Sequence, residues 1–251
     1  FGRAMYNYHD RYTLSATLRT DGCSRFGSDN RWGIFPSVSA GWNLSNEEFF
    51  KPVADLLSVK LRASWGISGN NNISNYRHIA TIKSGSYNFG DETVITYYPS
   101  GFTDLNLGWE KTRQTNIGVD LGFFLNRLNL IANYYYSITN DLLYQNTVSA
   151  ITGSTTMWTN LKDGKVYNKG FDIQIDGNIV ATKDWRWNLG FNVSINRNKV
   201  MGLTDVITQA AQRSQITHIT KNGLPIGSFY GLVSEGLITS ADYALIQEDA
   251  R

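Results

Sequence analysis

Between Thr115 and Tyr136 the chain reads T-N-I-G-V-D-L-G-F-F-L-N-R-L-N-L-I-A-N-Y-Y-Y. Ile117, Val119, Leu121 and Phe123 alternate with Asn116, Gly118, Asp120 and Gly122. Successive strand side chains point to opposite faces, so this segment has one apolar face and one polar or glycine face. Leu125-Asn126-Arg127 interrupts the pattern, which resumes with Leu128, Leu130, Ala132, Tyr134 and Tyr136 on one side. Asn129, Asn133 and Tyr135 lie on the other, broken only by Ile131. The spacing predicts a β-hairpin with a tight turn. Ordinary strands run about 5–6 residues, whereas a strand crossing a bilayer needs about 9–11. Each arm can supply the longer length. A long hairpin in a soluble β-sandwich would alternate in the same way.

The rest of the chain repeats this signature. Gly2 to Tyr8 sets Ala4, Tyr6 and Tyr8 against Arg3, Met5 and Asn7, and His9-Asp10-Arg11 forms a polar turn. Tyr12, Leu14, Ala16 and Leu18 alternate next, followed by a glycine-rich polar segment from Asp21 to Gly33. A third strand, about 35–44, carries Val38, Ala40, Trp42 and Leu44, and a fourth, 59–68, carries Val59, Leu61, Ala63, Trp65 and Ile67. Between them, residues 46–57 form a connector in which the Ser45 and Glu48 spacing predicts a capped helical turn. Residues 69–111 are the longest irregular stretch, and 141–164 are a second polar one. Phe171, Ile173, Ile175 and Ile179 mark a seventh strand. After a turn at 181–184, Trp185, Trp187, Leu189, Phe191, Val193 and Ile195 mark an eighth. Beyond Asn198 the pattern loosens; one further strand is expected within 227–236, and weak helical character at the end.

Connection length also alternates, which a soluble sandwich has no reason to do. Connectors near 9–11, 45–57, 125–127 and 181–184 are short; those near 21–33, 69–111, 141–164 and after 198 are long. Outer-membrane barrels have short periplasmic turns, long extracellular loops and aromatic girdles. The expected fold is therefore all-β: about eight or nine long strands in an up-and-down antiparallel meander, forming a segment of a transmembrane β-barrel. No apolar run approaches the roughly 18 residues of a membrane-crossing helix, but a barrel hides its apolar surface in every second residue. A net charge of +2 without a basic cluster gives no support to nucleic-acid binding. The single cysteine, Cys23, excludes an intrachain disulfide framework. The chain opens on Phe1-Gly2-Arg3 and ends without a closing strand signal, so it is expected to be an internal piece of a longer protein.

Several stretches together resemble one family. Y-T-L-S-A-T-L-R-T-D-G-C-S-R-F-G and N-R-W-G-I-F-P-S-V-S-A-G-W-N-L-S-N-E-E-F-F lie within Tyr12–Phe50. V-K-L-R-A-S-W-G-I-S-G-N, L-G-W-E-K-T-R-Q-T-N-I-G-V-D, Y-Y-Y-S-I-T-N-D-L-L, V-Y-N-K-G-F-D-I-Q-I and G-S-F-Y-G-L-V-S-E-G-L follow in order. Nearly the whole chain thereby resembles the SusC/RagA family of TonB-linked outer-membrane transporters of Bacteroidetes. Cys23 departs from the small hydroxyl residue that the family pattern usually has, and places a free thiol at a loop tip. The resemblance implies a barrel of about 22 strands closed around a plug domain, of which residues 1–251 are wall only. It also implies energy supply through the TonB complex, a SusD-like surface lipoprotein as lid, and oligosaccharide or peptide cargo.

Nothing in the sequence points to an enzyme or a cofactor. His9, His78 and His218 are scattered, Gly66-Ile67-Ser68-Gly69 falls short of a nucleophile elbow, and no nucleotide or metal motif occurs. Arg62, Asp120, Asp172, Gln174 and Asp176 are expected on the lumen side, where water or plug backbone accepts them. Ile117, Val119, Leu121, Phe123 and Trp187 are expected to meet membrane lipid. Tyr76, Tyr87, Tyr97, Tyr98, Trp109 and Trp158 lie in the long loops, where flat rings suit sugar or peptide cargo or a lid interface. The alternative reading is a soluble β-sandwich module that binds glycans.

Overall fold

The computed structural model describes residues 1–79, 81–99, 101–149, 151, 156–203, 206–210, 216–231, 233 and 236. Its strands are β1 (Gly2–Tyr8), β2 (Tyr12–Gly22), β3 (Trp32–Asn43), β4 (Leu57–Asn70), β5 (Ile82–Phe89), β6 (Glu92–Pro99), β7 (Phe102–Thr103) and β8 (Glu110–Phe123). They continue as β9 (Leu128–Asn140), β10 (Leu142–Thr147), β11 (Thr156–Leu161), β12 (Lys165–Ala181), β13 (Arg186–Met201), β14 (Ile207–Ala210), β15 (Ile216–Thr220) and β16 (Ser228–Phe229).

Eight of these strands form one sheet in the order β1-β2-β3-β4-β8-β9-β12-β13, and every neighbouring pair is antiparallel. This is the expected meander. Small sheets β5-β6, β10-β11-β7 and β14-β15-β16 occupy the long connections.

Register turns the period-two pattern of each strand into rows across the sheet. One row runs Tyr6, Leu14, Ala40, Ala63, Ile117, Tyr134, Phe171, Ile195. The next apolar row runs Tyr8, Tyr12, Trp42, Leu61, Val119, Ala132, Ile173, Val193. Between them, facing the other way, lie Asn7, Thr13, Gly41, Arg62, Gly118, Asn133, Asp172 and Ser194. A slip of one residue in any pairing would mix the faces.

The apolar face is uncovered. Ile117, Trp187 and Phe191 are 57%, 57% and 62% exposed. Among the described residues no second sheet packs on it, so the β-sandwich alternative is not favoured. The buried apolar cluster instead sits at the long-loop end.

Five details differ from the sequence reading. Ser45 does not cap a helix: residues Leu44–Asn46 and Glu48–Val53 are 3-10 turns without a side-chain cap. Its Oγ instead accepts the Val59 N–H at 2.7 Å, closing the connector onto β4. The stretch 69–111 holds the β5–β6 hairpin, and 141–164 holds β10 and β11. Trp185 precedes β13, in a turn where its N–H donates to Thr182 Oγ1. Cys23 is buried at the root of its loop, its N–H donating to Arg31 O, so no thiol is displayed at a tip. The expected further strand is reduced to β16; Leu232, Ser234, Glu235 and the segment after Gly236, expected to be weakly helical, lie outside the described residues.

Candidate functional site

Two surfaces carry the polar and aromatic residues singled out in the sequence: the polar face of the sheet and the cap built by the long loops.

On the polar face, Arg62 on β4 reaches one strand across to Asp120 on β8. Its Nη2 and Nε donate to the carboxylate at 2.6 and 2.8 Å, and Nη2 also donates to Asn133 Oδ1 at 3.0 Å. Glycine makes room for this: a Cβ at Gly118 would strike Asn133 Oδ1 and press on the guanidinium. Farther along, Ser194 Oγ donates to Asp172, and Gln174 Nε2 donates to Asp176 at 2.6 Å. Tyr135 lies over Gly170 and donates its hydroxyl to Asn196 at 3.0 Å. Side chains thus lie flat along the wall, bonded sideways to one another. With both partners about one-third exposed, the Arg62–Asp120 pair is worth about 1 kcal/mol or less. Its consequence is order in the wall more than stability.

At the long-loop end, Phe26 and Leu107 are fully buried and pack with Cys23, Phe35, Ile73 and Trp109; Ile67, Leu143 and Trp158 close the rim. Burying rings and aliphatic groups of this size is worth about 1.5–3 kcal/mol each. The cluster draws on the β2–β3, β4–β8 and β9–β12 connections, so three loops fold as one body. Polar bonds repeat the stitching. Asn160 accepts from Gly108 N at 2.8 Å and donates to Gly108 O and Asp141 O. Thr159 donates to Asp104 Oδ2 at 2.6 Å, and Arg25 donates to Asn71 O and Asn75 Oδ1.

This packing divides the loop aromatics. Trp109 is buried, its ring 5.4 Å from Phe26 and 5.3 Å from Phe35 and its indole N–H on Arg31 O. It is only 9% exposed, at the edge of a cavity of about 360 Å³ that it shares with Trp32, Asp104 and Lys162, so most of the ring serves the loop core rather than a free surface. Trp158 is half-buried at the rim and shares a cavity of about 110 Å³ with Tyr76, Arg77 and Phe102. Tyr87 and Tyr98 occupy one face of the β5–β6 hairpin, where Tyr98 lies over Gly85, while Tyr97 occupies the other beside Ile95. All three are exposed, as is Tyr76. The exposed rings therefore do not share one surface. Phe26, Leu107 and Asn160 were not singled out beforehand; two apolar residues isolated in polar loops were the available signal. Among the described residues no three His, Cys, Asp or Glu side chains gather as a metal site.

The lower edge of the apolar band is oblique in the frame of the sheet. On β2 it begins at Tyr12, whose row reaches Val193 on β13, yet on β13 the band continues to Trp187, six residues farther along. Six residues advance about 20 Å, and the six strand spacings from β2 to β13 cover about 29 Å. The edge therefore slopes by about 35° against the rows, which matches the tilt of about 35–45° that strands of a membrane barrel adopt.

Comparison with known proteins agrees with this geometry. The family described as "TonB dependent receptor-like, beta-barrel" matches residues 1–230. TonB-dependent receptor P3 of Formosa agariphila is 34% identical over 97% of the chain and 25% of its own length. TonB-dependent receptor SusC of Bacteroides thetaiotaomicron is 37% identical over 81% of the chain and 21% of its own length. The solved RagAB peptide transporter superposes with a TM-score of 0.76 at 30% identity, over 90% of the chain and 24% of its own. The chain thus spans about a quarter of the length of the relatives it matches. It belongs to the TonB-dependent receptor β-barrel family.

Proposed function

We propose that residues 1–251 are a stretch of wall in a plugged outer-membrane barrel that imports a nutrient with energy delivered through TonB. The observation that carries this reading is the separation of faces: across all eight strands the two apolar rows through Ile117 and Val119 enclose the polar and glycine row through Arg62 and Gly118, which faces the other way. Ile117, Val119, Leu121, Phe123 and Trp187 meet lipid, and the sloping edge of their band lies level with the membrane once the strands tilt. Arg62, Asp120, Asp172, Gln174 and Asp176 line the lumen and pack against the plug. Charge is tolerated there because the low-dielectric phase is on the other side of the sheet.

Cargo is a peptide or an oligosaccharide. The relative RagAB is a peptide transporter, and exposed Tyr76, Tyr87, Tyr97 and Tyr98 offer flat rings with polar rims to either chemistry. A SusD-like surface lipoprotein covers the long-loop face. Cells carrying the full-length protein test this reading, scored for uptake of labelled peptide and oligosaccharide pools with and without a collapsed proton gradient. Accumulation that needs both the protein and the gradient is expected for one pool. Accumulation indifferent to the gradient, or none for either pool, overturns the proposal.

A further inference from the structure

The connection between β3 and β4, residues 44–56, is the longest of the short-turn end, and it does not hang free. Glu47 is 8% exposed, and its Oε1 accepts the Tyr12 hydroxyl at 2.8 Å and the Trp42 indole N–H at 3.1 Å. Both rings belong to the apolar face of the sheet, stacked 6.2 Å apart with planes 17° from parallel. A carboxylate bonded to both can only lie on that side. The connection is therefore folded back over the outer side of the wall, at the lower edge of the apolar band.

Charge holds it there. Arg11 reaches Glu47 at 3.4 Å and Glu48 at 3.3 Å, while Lys51 closes on Glu48 at 2.7 Å. Backbone bonds add neighbours: Asn43 N–H donates to Arg11 O, and Phe124 N–H and Leu125 N–H donate to Leu56 O and Asp55 O. The β1–β2 turn, this connection and the β8–β9 turn form one shelf. With Glu47 and Glu48 paired from within, the shelf still presents Phe49, Val53 and Leu56 at 68%, 46% and 64% exposure. Ordinary solvent-facing turns have no use for such a group.

We infer that this shelf is a membrane-surface foot, and that Phe49 and Val53 seat in the headgroup–acyl boundary of phosphoglycerides in the periplasmic leaflet. The inference rests on the lipid-facing reading of the sheet, because the foot is continuous with that face through Tyr12 and Trp42. Short 3-10 turns that expose apolar side chains and hold their two glutamates in ion pairs suit the interface, where rings at the boundary coexist with polar heads. Glu47 is the positioning residue. Its carboxylate satisfies the N–H and O–H groups of two girdle aromatics that hydrocarbon would leave unpaired.

The test uses the full-length protein, free of other reactive cysteines, with Phe49→Cys or Ile117→Cys carrying an environment-sensitive fluorophore in lipid vesicles. Quenching by shallow and deep doxyl-lipids is compared with quenching by aqueous iodide. The expected result is about twofold stronger quenching at position 49 by the shallow than by the deep lipid, with iodide weak, and the reverse depth preference at Ile117→Cys. Adding Glu47→Gln, which removes the Arg11 pairing, is expected to lower lipid quenching at position 49 only. Iodide quenching at 49 with lipid quenching retained at 117 overturns the foot alone. Iodide quenching at both overturns the lipid-facing reading, and the foot with it.

Discussion

Val119→Lys puts the separation of faces under direct strain. Val119 lies four residues from the end of β8 at Phe123, which is about 13 Å along the strand and about 10 Å in depth at a tilt near 40°. The apolar band of a barrel is about 25 Å tall, so this site is within about 3 Å of its middle. Its row neighbours are Leu61 and Ala132, and they offer no counter-charge. A lysine there is expected to cost about 2–4 kcal/mol, or about 30- to 900-fold in the folding equilibrium. Asn116→Lys, on the opposite face beside Ser64 and Tyr135, is expected to stay within about 0.5 kcal/mol. Urea titrations of the full-length protein in lipid vesicles, read by heat-modifiable migration, give both values. Equal costs at the two positions, or a neutral Val119→Lys, would refute the reasoning.

Other perturbations address the cap, the wall and the foot. Phe26→Ala empties a fully buried site and is expected to cost about 3–5 kcal/mol within the loop body. Limited proteolysis should then cut the long loops while the heat-modifiable barrel persists; unchanged cleavage would contradict a shared loop core. Gly170→Ala drives a Cβ into the Ile195 carbonyl and the Tyr135 ring, with an expected loss of about 1–3 kcal/mol in the same urea titration. Glu47 titrates below the ordinary glutamate range because it accepts from Tyr12 and Trp42, with Arg11 assisting. A lowered native value means that the clamp is fully stabilising above the unfolded glutamate value and is lost as pH falls through the native one. Tryptophan fluorescence of the full-length protein should therefore shift only under acid, and Glu47→Gln should remove that transition.

How far the structure could be read in advance depended on the distance over which each part is determined. The β8–β9 hairpin was legible because period-two alternation runs from Asn116 to Phe123 in one arm and, broken only at Ile131, from Leu128 to Tyr136 in the other. One face is uniformly apolar, so register had a single solution. The same held for β2, β4, β12 and β13. The β5–β6 hairpin was hidden because Thr93-Val94-Ile95-Thr96-Tyr97-Tyr98 sets apolar residues on both faces, and both are exposed. Ser45 and Glu48 misled because capping-box spacing presumes α-helical geometry, whereas the connector tightens into 3-10 turns and the serine turns to β4. The loop cap was out of reach for another reason. Trp109 meets Phe26 and Phe35 from more than seventy residues away, and no local pattern records such a meeting. A loop tryptophan reads the same whether it faces cargo or closes a core.

The central claim is that one face of the eight-stranded sheet meets lipid and the other does not. Single nitroxide labels placed in turn at positions 115 to 122 on β8 of the full-length protein, in membranes, test it most directly. Each site would be scored for collision with oxygen, which concentrates in hydrocarbon, and with a water-soluble nickel chelate. The account predicts an oxygen signal that peaks at Ile117, Val119 and Leu121 and falls at Asn116, Gly118 and Asp120. A flat profile, or peaks at the even positions, would contradict it.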